Sequence, residues 1–155
     1  GVLSSSPPRL LTTGRVVDAG TSGAVTWIGS MATAGGALLM ALGAALFISL
    51  ELLDQPMLTM TSRAFPLLAS VFVGGITGAL ADSLLGATVQ AGYRCPRCDK
   101  PTESRVHRCG TPTRLVRGVV WVNNDLVNAS ATITGAVVAG LLWSFLISSP
   151  SQLLR

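Results

Sequence analysis

The sequence predicts an all-α fold: a polytopic transmembrane bundle of about three spanning helices, with a small zinc-knuckle-like loop between the second and third. Three observations predict it. Of 155 residues, 49% are hydrophobic and only 12% are charged, about half the charge of an average soluble domain. Three long apolar stretches run through the chain, each meeting the roughly 20 residues that cross a hydrocarbon core. All three cysteines and the only histidine fall in one short span, CPRCDKPTESRVHRCG. A soluble all-α protein is disfavoured, because three such stretches leave too little polar surface to enclose a core.

The elements follow in order. The opening GVLSSSPPRLLTTGR has no basic segment ahead of a sufficient apolar run, so it does not read as a secretory signal. It reads as the start of a fragment or of a processed chain. Next comes a glycine-bounded turn, Gly20-Thr21-Ser22-Gly23, expected at the N-terminus of the first helix. Backbone N–H groups and the helix dipole favour anions there; an ordinary N-cap by Thr21 or Ser22 is the simpler alternative. The first helix is expected over about 24–50, and Ala24 to Leu50 carries no charged residue. Ala32, Gly36 and Met40 share one of its faces. The second is expected over about 66–92, with Asp82 its single charge. Gly74, Gly78 and Asp82 recur every four residues, a spacing that lets membrane helices approach closely. The third is expected over about 120–149 and opens with VWVNNDLVN. Residues 1–155 are read as a single membrane domain, with residues 93–118 inserted as the loop.

Charge orients these segments. The loop 94–117 holds Arg94, Arg97, Lys100, Arg105, Arg108, Arg114 and Arg117 against only Asp99 and Glu103. The first connection holds Glu51, Asp54 and Arg63. The positive-inside rule makes the loop and the N-terminus cytoplasmic and the C-terminus external. A prokaryotic plasma membrane is the expected location. The bilayer is an expected partner and nucleic acid is not.

Polar residues inside membrane segments are costly without partners and point to function. Asp82, Asn124, Asp125 and Asn128 fall toward the same side as the Gly20–Gly23 turn. Two carboxylates with amide oxygens suit Mg²⁺, which is commonly held by one or two carboxylates together with phosphate oxygens. An Asp–Asn network that only fixes helix packing is the alternative.

Cys95, Cys98, His107 and Cys109 form two close pairs separated by a short polar loop, a spacing that wraps one tetrahedral Zn²⁺. Three cysteines leave one over after any disulfide, and a cytoplasmic loop disfavours disulfides. Four protein ligands leave no open position, so the zinc is expected to be structural. It would aim Arg94, Arg114 and Arg117 at the membrane surface. Arg97, Lys100, Arg105 and Arg108 are expected to serve topology and attraction to anionic lipid.

Four motifs in order, GTSGAV, GALADSLLGATVQ, CPRC…HRCG and GVVWVNNDLVN, resemble the polytopic membrane family that contains transmembrane protein 19 and the plant and cyanobacterial phytyl-phosphate kinase. The resemblance covers nearly all of Gly14 to Leu146. It implies phosphoryl transfer from CTP or another nucleoside triphosphate to phytyl or geranylgeranyl monophosphate, giving the diphosphate. It also implies further membrane segments ahead of GTSGAV. Laid onto these motifs, Asp82 and Asp125 would hold Mg²⁺, and Asn124 and Asn128 would complete its shell or bind phosphate. Arg15, Gly20, Thr21, Ser22 and Gly23 would cradle the nucleotide phosphates. Arg94, Arg114 and Arg117 would neutralise developing charge. A related Mg²⁺-dependent lipid phosphotransferase or cytidylyltransferase, a transporter lined by Asp82 and Asp125, and a non-catalytic assembly module are the alternatives.

Overall fold

The computed structural model describes residues 6–51 and 56–148, without the side chains of residues 57–61. Asp54 of the first connection and Ser149 at the expected end of the third helix lie outside the described residues. The elements are β1 (Arg9–Leu10), β2 (Ala24–Val25), α1 (Trp27–Glu51), α2 (Met57–Thr88), β3 (Gly92–Arg94), β4 (Pro101–Thr102), β5 (Arg114–Arg117) and α3 (Asn124–Ser148). Three spans, Trp27–Glu51, Ser62–Thr88 and Asn124–Ser148, are long and apolar enough to cross a membrane. The protein is an integral membrane protein built on these three apolar helices.

The helix boundaries differ from expectation, each for a local reason. α1 begins at Trp27 and not at residue 24, because Ala24 and Val25 are spent in a strand that pairs with β1. Thr26 then caps the helix, its Oγ1 accepting from Gly29 N at 3.1 Å. That hydroxyl satisfies an N–H which the first turn leaves without an intrahelical partner. α2 starts at Met57, nine residues ahead of the expected start at Pro66. Proline removes one helical hydrogen bond, a loss that membrane helices accommodate. α2 stops at Thr88 because Val89 N and Gln90 N both return to Leu85 O. α3 begins at Asn124, where the Asn123 side chain accepts from Leu126 N at 2.9 Å.

The chain divides into two compact units. One joins residues up to Ser30 with Leu80–Ala131 and is called the ribbon unit. The other joins Met31–Ala79 with residues from Thr132 onward and is called the helix unit.

In the helix unit, glycine lets the helices touch by their backbones. A Cβ on Gly74 would lie 2.7 Å from both Gly135 O and the Ala139 side chain. A Cβ on Gly75 would lie 3.0 Å from Ala37. The small-residue face at Gly74 and Gly78 therefore meets α3, a close approach typical of packed membrane helices. Gly36, on the other small face, fronts open space.

In the ribbon unit, the expected loop is a three-stranded antiparallel sheet of order β4-β3-β5. Its strands are two to four residues long. Ala91, Tyr93, Cys95, Val122 and Val127 are buried and form the core of this unit. Ala91 N donates to Val122 O at 2.8 Å, and Val119 N to Val89 O at 3.0 Å. These bonds tie the sheet and the approach to α3 against the end of α2.

Candidate functional site

Two tight turns bring the four metal-ligating side chains together. In the first, Cys95 N donates to Lys100 O at 3.0 Å and Asp99 N donates to Cys95 O at 2.9 Å. Asp99 adopts φ 52° to close it, a conformation that Asp tolerates better than most residues. In the second, His107 N donates to Thr111 O at 3.0 Å and Gly110 N to His107 O at 2.8 Å. The ligand atoms of Cys95, Cys98, His107 and Cys109 all lie within 4.8 Å of one another.

This geometry fits one ion. The Cys95 and Cys109 sulfurs are 3.6 Å apart, far beyond a disulfide length of about 2.05 Å. Two thiolates on a tetrahedral Zn²⁺ at about 2.3 Å each stand roughly 3.8 Å apart. His107 directs Nδ1 at the Cys109 sulfur, 3.1 Å away. Hydrogen bonds from Thr111 and then His107 pull the Cys109 thiol down to about 5. The neighbouring Cys109, followed by burial, pushes Cys98 up to about 11. The cluster thus already favours a thiolate, the form that binds metal. Among the described residues, it is the one group of three or more Cys, His, Asp or Glu side chains close enough to share an ion.

The Gly20–Gly23 turn lies elsewhere than expected. It precedes β2 and is separated from the cap of α1 by Ala24 and Val25, so it is not the N-terminus of that helix. Neither Thr21 nor Ser22 is the helix cap. Thr21 N donates to Asp18 O and Ala24 N to Thr21 O, each at 3.1 Å. The turn instead packs backbone-to-backbone on α2. A Cβ on Gly23 would fall 2.1 Å from Ala87 N, and one on Gly86 would fall 2.8 Å from Gly23 N. Ser22 donates its hydroxyl to Glu103 of the ribbon. That carboxylate was not among the residues singled out from the sequence, and no local signal marks it.

The arginines are already sorted by their partners. Arg117 donates from Nη2 to Ser22 O at 3.0 Å and from Nη1 to Ala87 O at 3.4 Å. It therefore holds the turn to the end of α2. Arg94 grips Asp99 with two bonds, of 2.5 and 3.0 Å. The hydrogen bond and charge of Asp99 raise Arg94 above its ordinary value, and Arg94 lowers Asp99. Arg114 stands directly opposite Arg94 across β3 and β5. Arg15 and Arg114 are both exposed.

Asp82 is half-buried in α2, while Asn124, Asp125 and Asn128 are exposed on the first turns of α3. All four belong to the ribbon unit, as do the turn, the arginines and the metal cluster. Asn123, expected only as part of the polar VWVNNDLVN entrance, is the residue that caps α3. Gln90 carried no expected role. It is 2% exposed, its Nε2 has no partner, and a Cβ on Gly86 would lie 3.4 Å from its Oε1.

Comparison with known proteins bears on this arrangement. The model of a family described as integral membrane protein DUF92 matches residues 1–136. Protein PGR of Arabidopsis thaliana is 34% identical over 157 residues, covering 97% of this chain and 48% of its own length. The uncharacterized membrane protein MJ0933 of Methanocaldococcus jannaschii is 33% identical over 144 residues, covering 92% of this chain and 43% of its own. The chain spans about half the length of these curated relatives. No solved structure matches it. The matched region takes in both halves of the metal cluster, the Gly20–Gly23 turn and the polar start of α3, and the chain belongs to the DUF92 family of integral membrane proteins.

Proposed function

We propose that this protein is the site-bearing part of a membrane-embedded isoprenoid-phosphate kinase. It would transfer a phosphoryl group from CTP, or another nucleoside triphosphate, to phytyl or geranylgeranyl monophosphate. One observation carries the reading: a single compact unit holds two membrane carboxylates, two amides, a glycine turn and exposed arginines where three apolar helices start or end. That combination suits a ligand with an apolar tail and a phosphate head.

The roles follow from the chemistry of the residues. Asp82 and Asp125 would hold Mg²⁺, which would supply positive charge to the phosphates, and Asn124 and Asn128 would complete its shell or bind phosphate. Asp82 near the end of α2 and Asn128 in the first turns of α3 belong to the same compact unit. Gly20, Thr21, Ser22 and Gly23 shape the phosphate cradle. Of the four arginines assigned to phosphate, Arg15 and Arg114 have no side-chain partner among the described residues and can offer their guanidinium groups. Arg94 and Arg117 act through Asp99 and Ser22. Phosphoryl transfer depends on position and charge more than on covalent chemistry. The acceptor is already an ionised phosphate and needs no strong base. Zn²⁺ in the Cys95–Cys98–His107–Cys109 cluster would be structural and would keep the ribbon folded.

The test is a transfer assay. Membranes carrying the full-length protein receive CTP, Mg²⁺ and geranylgeranyl or phytyl monophosphate, beside an Asp125→Ala control. Diphosphate from the parent alone supports the reading. Turnover unchanged by Asp125→Ala sinks the metal-site assignment. A nucleotide-linked lipid product would instead indicate a cytidylyltransferase.

A further inference from the structure

The ribbon carries apolar side chains on its outside. Leu115, Val116, Val119, Val120 and Trp121 are all exposed, Val116 at 60% and Trp121 at 71%. They form a nearly continuous run that ends two residues before the Asn123 cap of α3. Several large apolar side chains exposed within one short segment mark a candidate interaction site. Its surroundings indicate which kind. Arg105 and Arg114 border the run and are themselves exposed, and Arg105 Nη2 reaches Val120 O at 3.4 Å.

A second tryptophan lies at the same level. Trp27 is the first residue of α1 and is 73% exposed. Four residues before it, Gly23 rests on Ala87 near the end of α2. One residue after Trp121, Val122 O accepts from Ala91 N, just past the same helix end. Both tryptophans therefore flank the end of α2 where the spans start or finish. Tryptophan concentrates at the boundary between hydrocarbon and water, and arginine beside it is attracted to anionic headgroups.

We propose that the run Leu115–Trp121 seats the metal ribbon on the headgroup layer of an anionic bilayer, with Trp27 and Trp121 at the interface. The ribbon then lies along the membrane and does not stand free in water. A lipid substrate's headgroup would meet it without leaving the interface.

The test uses the full-length protein reconstituted in phosphatidylcholine bilayers with or without phosphatidylglycerol. A Trp27→Phe, Trp143→Phe variant leaves Trp121 as the reporter within this region. Lipid brominated close to the headgroup should quench Trp121 several-fold more than lipid brominated deep in the chain. Phosphatidylglycerol should strengthen that quenching, and Arg105→Gln with Arg114→Gln should remove the strengthening. Val116→Asp with Val120→Asp should speed amide exchange across residues 114–120 several-fold, with the metal retained. Quenching by aqueous iodide and not by brominated lipid would show a run facing water and overturn the proposal. Resistance to both quenchers would show that a protein segment covers it, and overturn it equally. Indifference to phosphatidylglycerol would remove the anionic part.

Discussion

Arg117 joins two parts of the chain that lie ninety-five residues apart, donating Nη2 to Ser22 O at 3.0 Å. The same guanidinium reaches Ala87 O at 3.4 Å. One side chain from the last strand of the ribbon thus ties the glycine turn to the end of a membrane helix. Arg117→Ala leaves these carbonyls without their donor, at a cost of about 1–3 kcal/mol. The thermal midpoint should fall, and amide exchange should rise across residues 18–24. Arg117→Lys should recover only part of the loss, because an ammonium lacks the planar fork that spans both carbonyls. An unchanged midpoint in the alanine variant would contradict the tie.

Gly23 and Gly36 offer a matched pair. Gly23 has φ 75° and its Cβ would collide with the α2 backbone. Gly36 has ordinary φ and open space. Gly23→Ala should destabilise by more than about 1 kcal/mol through strain alone, with the clash adding to that. Gly36→Ala should be neutral or slightly stabilising, as alanine is the better helix former by about 1 kcal/mol. Thermal unfolding of the two variants side by side checks the contrast.

Gln90 is the buried polar side chain of the ribbon unit whose amide nitrogen lacks a partner. An unsatisfied buried donor costs about 1–3 kcal/mol. Gln90→Met keeps the length and removes the donor, so it should raise the thermal midpoint. A fall would mean that the amide is paired, for instance through an internal water.

The metal cluster should respond to pH with a definite sign. Cys98 is pushed up to about 11 and stays a neutral thiol at pH 7, so it must lose its proton on binding metal. Cys109, drawn down to about 5, is already a thiolate. Metal uptake at neutral pH should therefore release at least one proton per ion, and apparent affinity should rise with pH. Below about 5 the free cluster protonates Cys109 as well, so apparent metal affinity should fall more steeply with further acidification. Stability owed to the Cys109 thiolate is present above the ordinary thiol range and is lost as pH falls through that value. Calorimetry in buffers of different ionisation enthalpy counts the protons. Cys98→Ser should lower zinc content and thermal midpoint together.

Three apolar spans and four metal ligands were legible in the residues alone. Hydropathy depends on a segment's own composition, and the paired spacing of Cys95, Cys98, His107 and Cys109 places the ligands within single tight turns. The caps at Thr26 and Asn123 were also local, but strand pairing and turn closure ahead of them shifted the helix starts by several residues. The ribbon strands, two to four residues long, are too short to show alternation. Tertiary structure alone decided that Gly23 rests on Ala87, that Ser22 meets Glu103, and that Arg117 serves a turn ninety-five residues away. Such contacts form between backbones and side chains brought together by the register of distant elements, and that register leaves no trace in any local stretch of sequence.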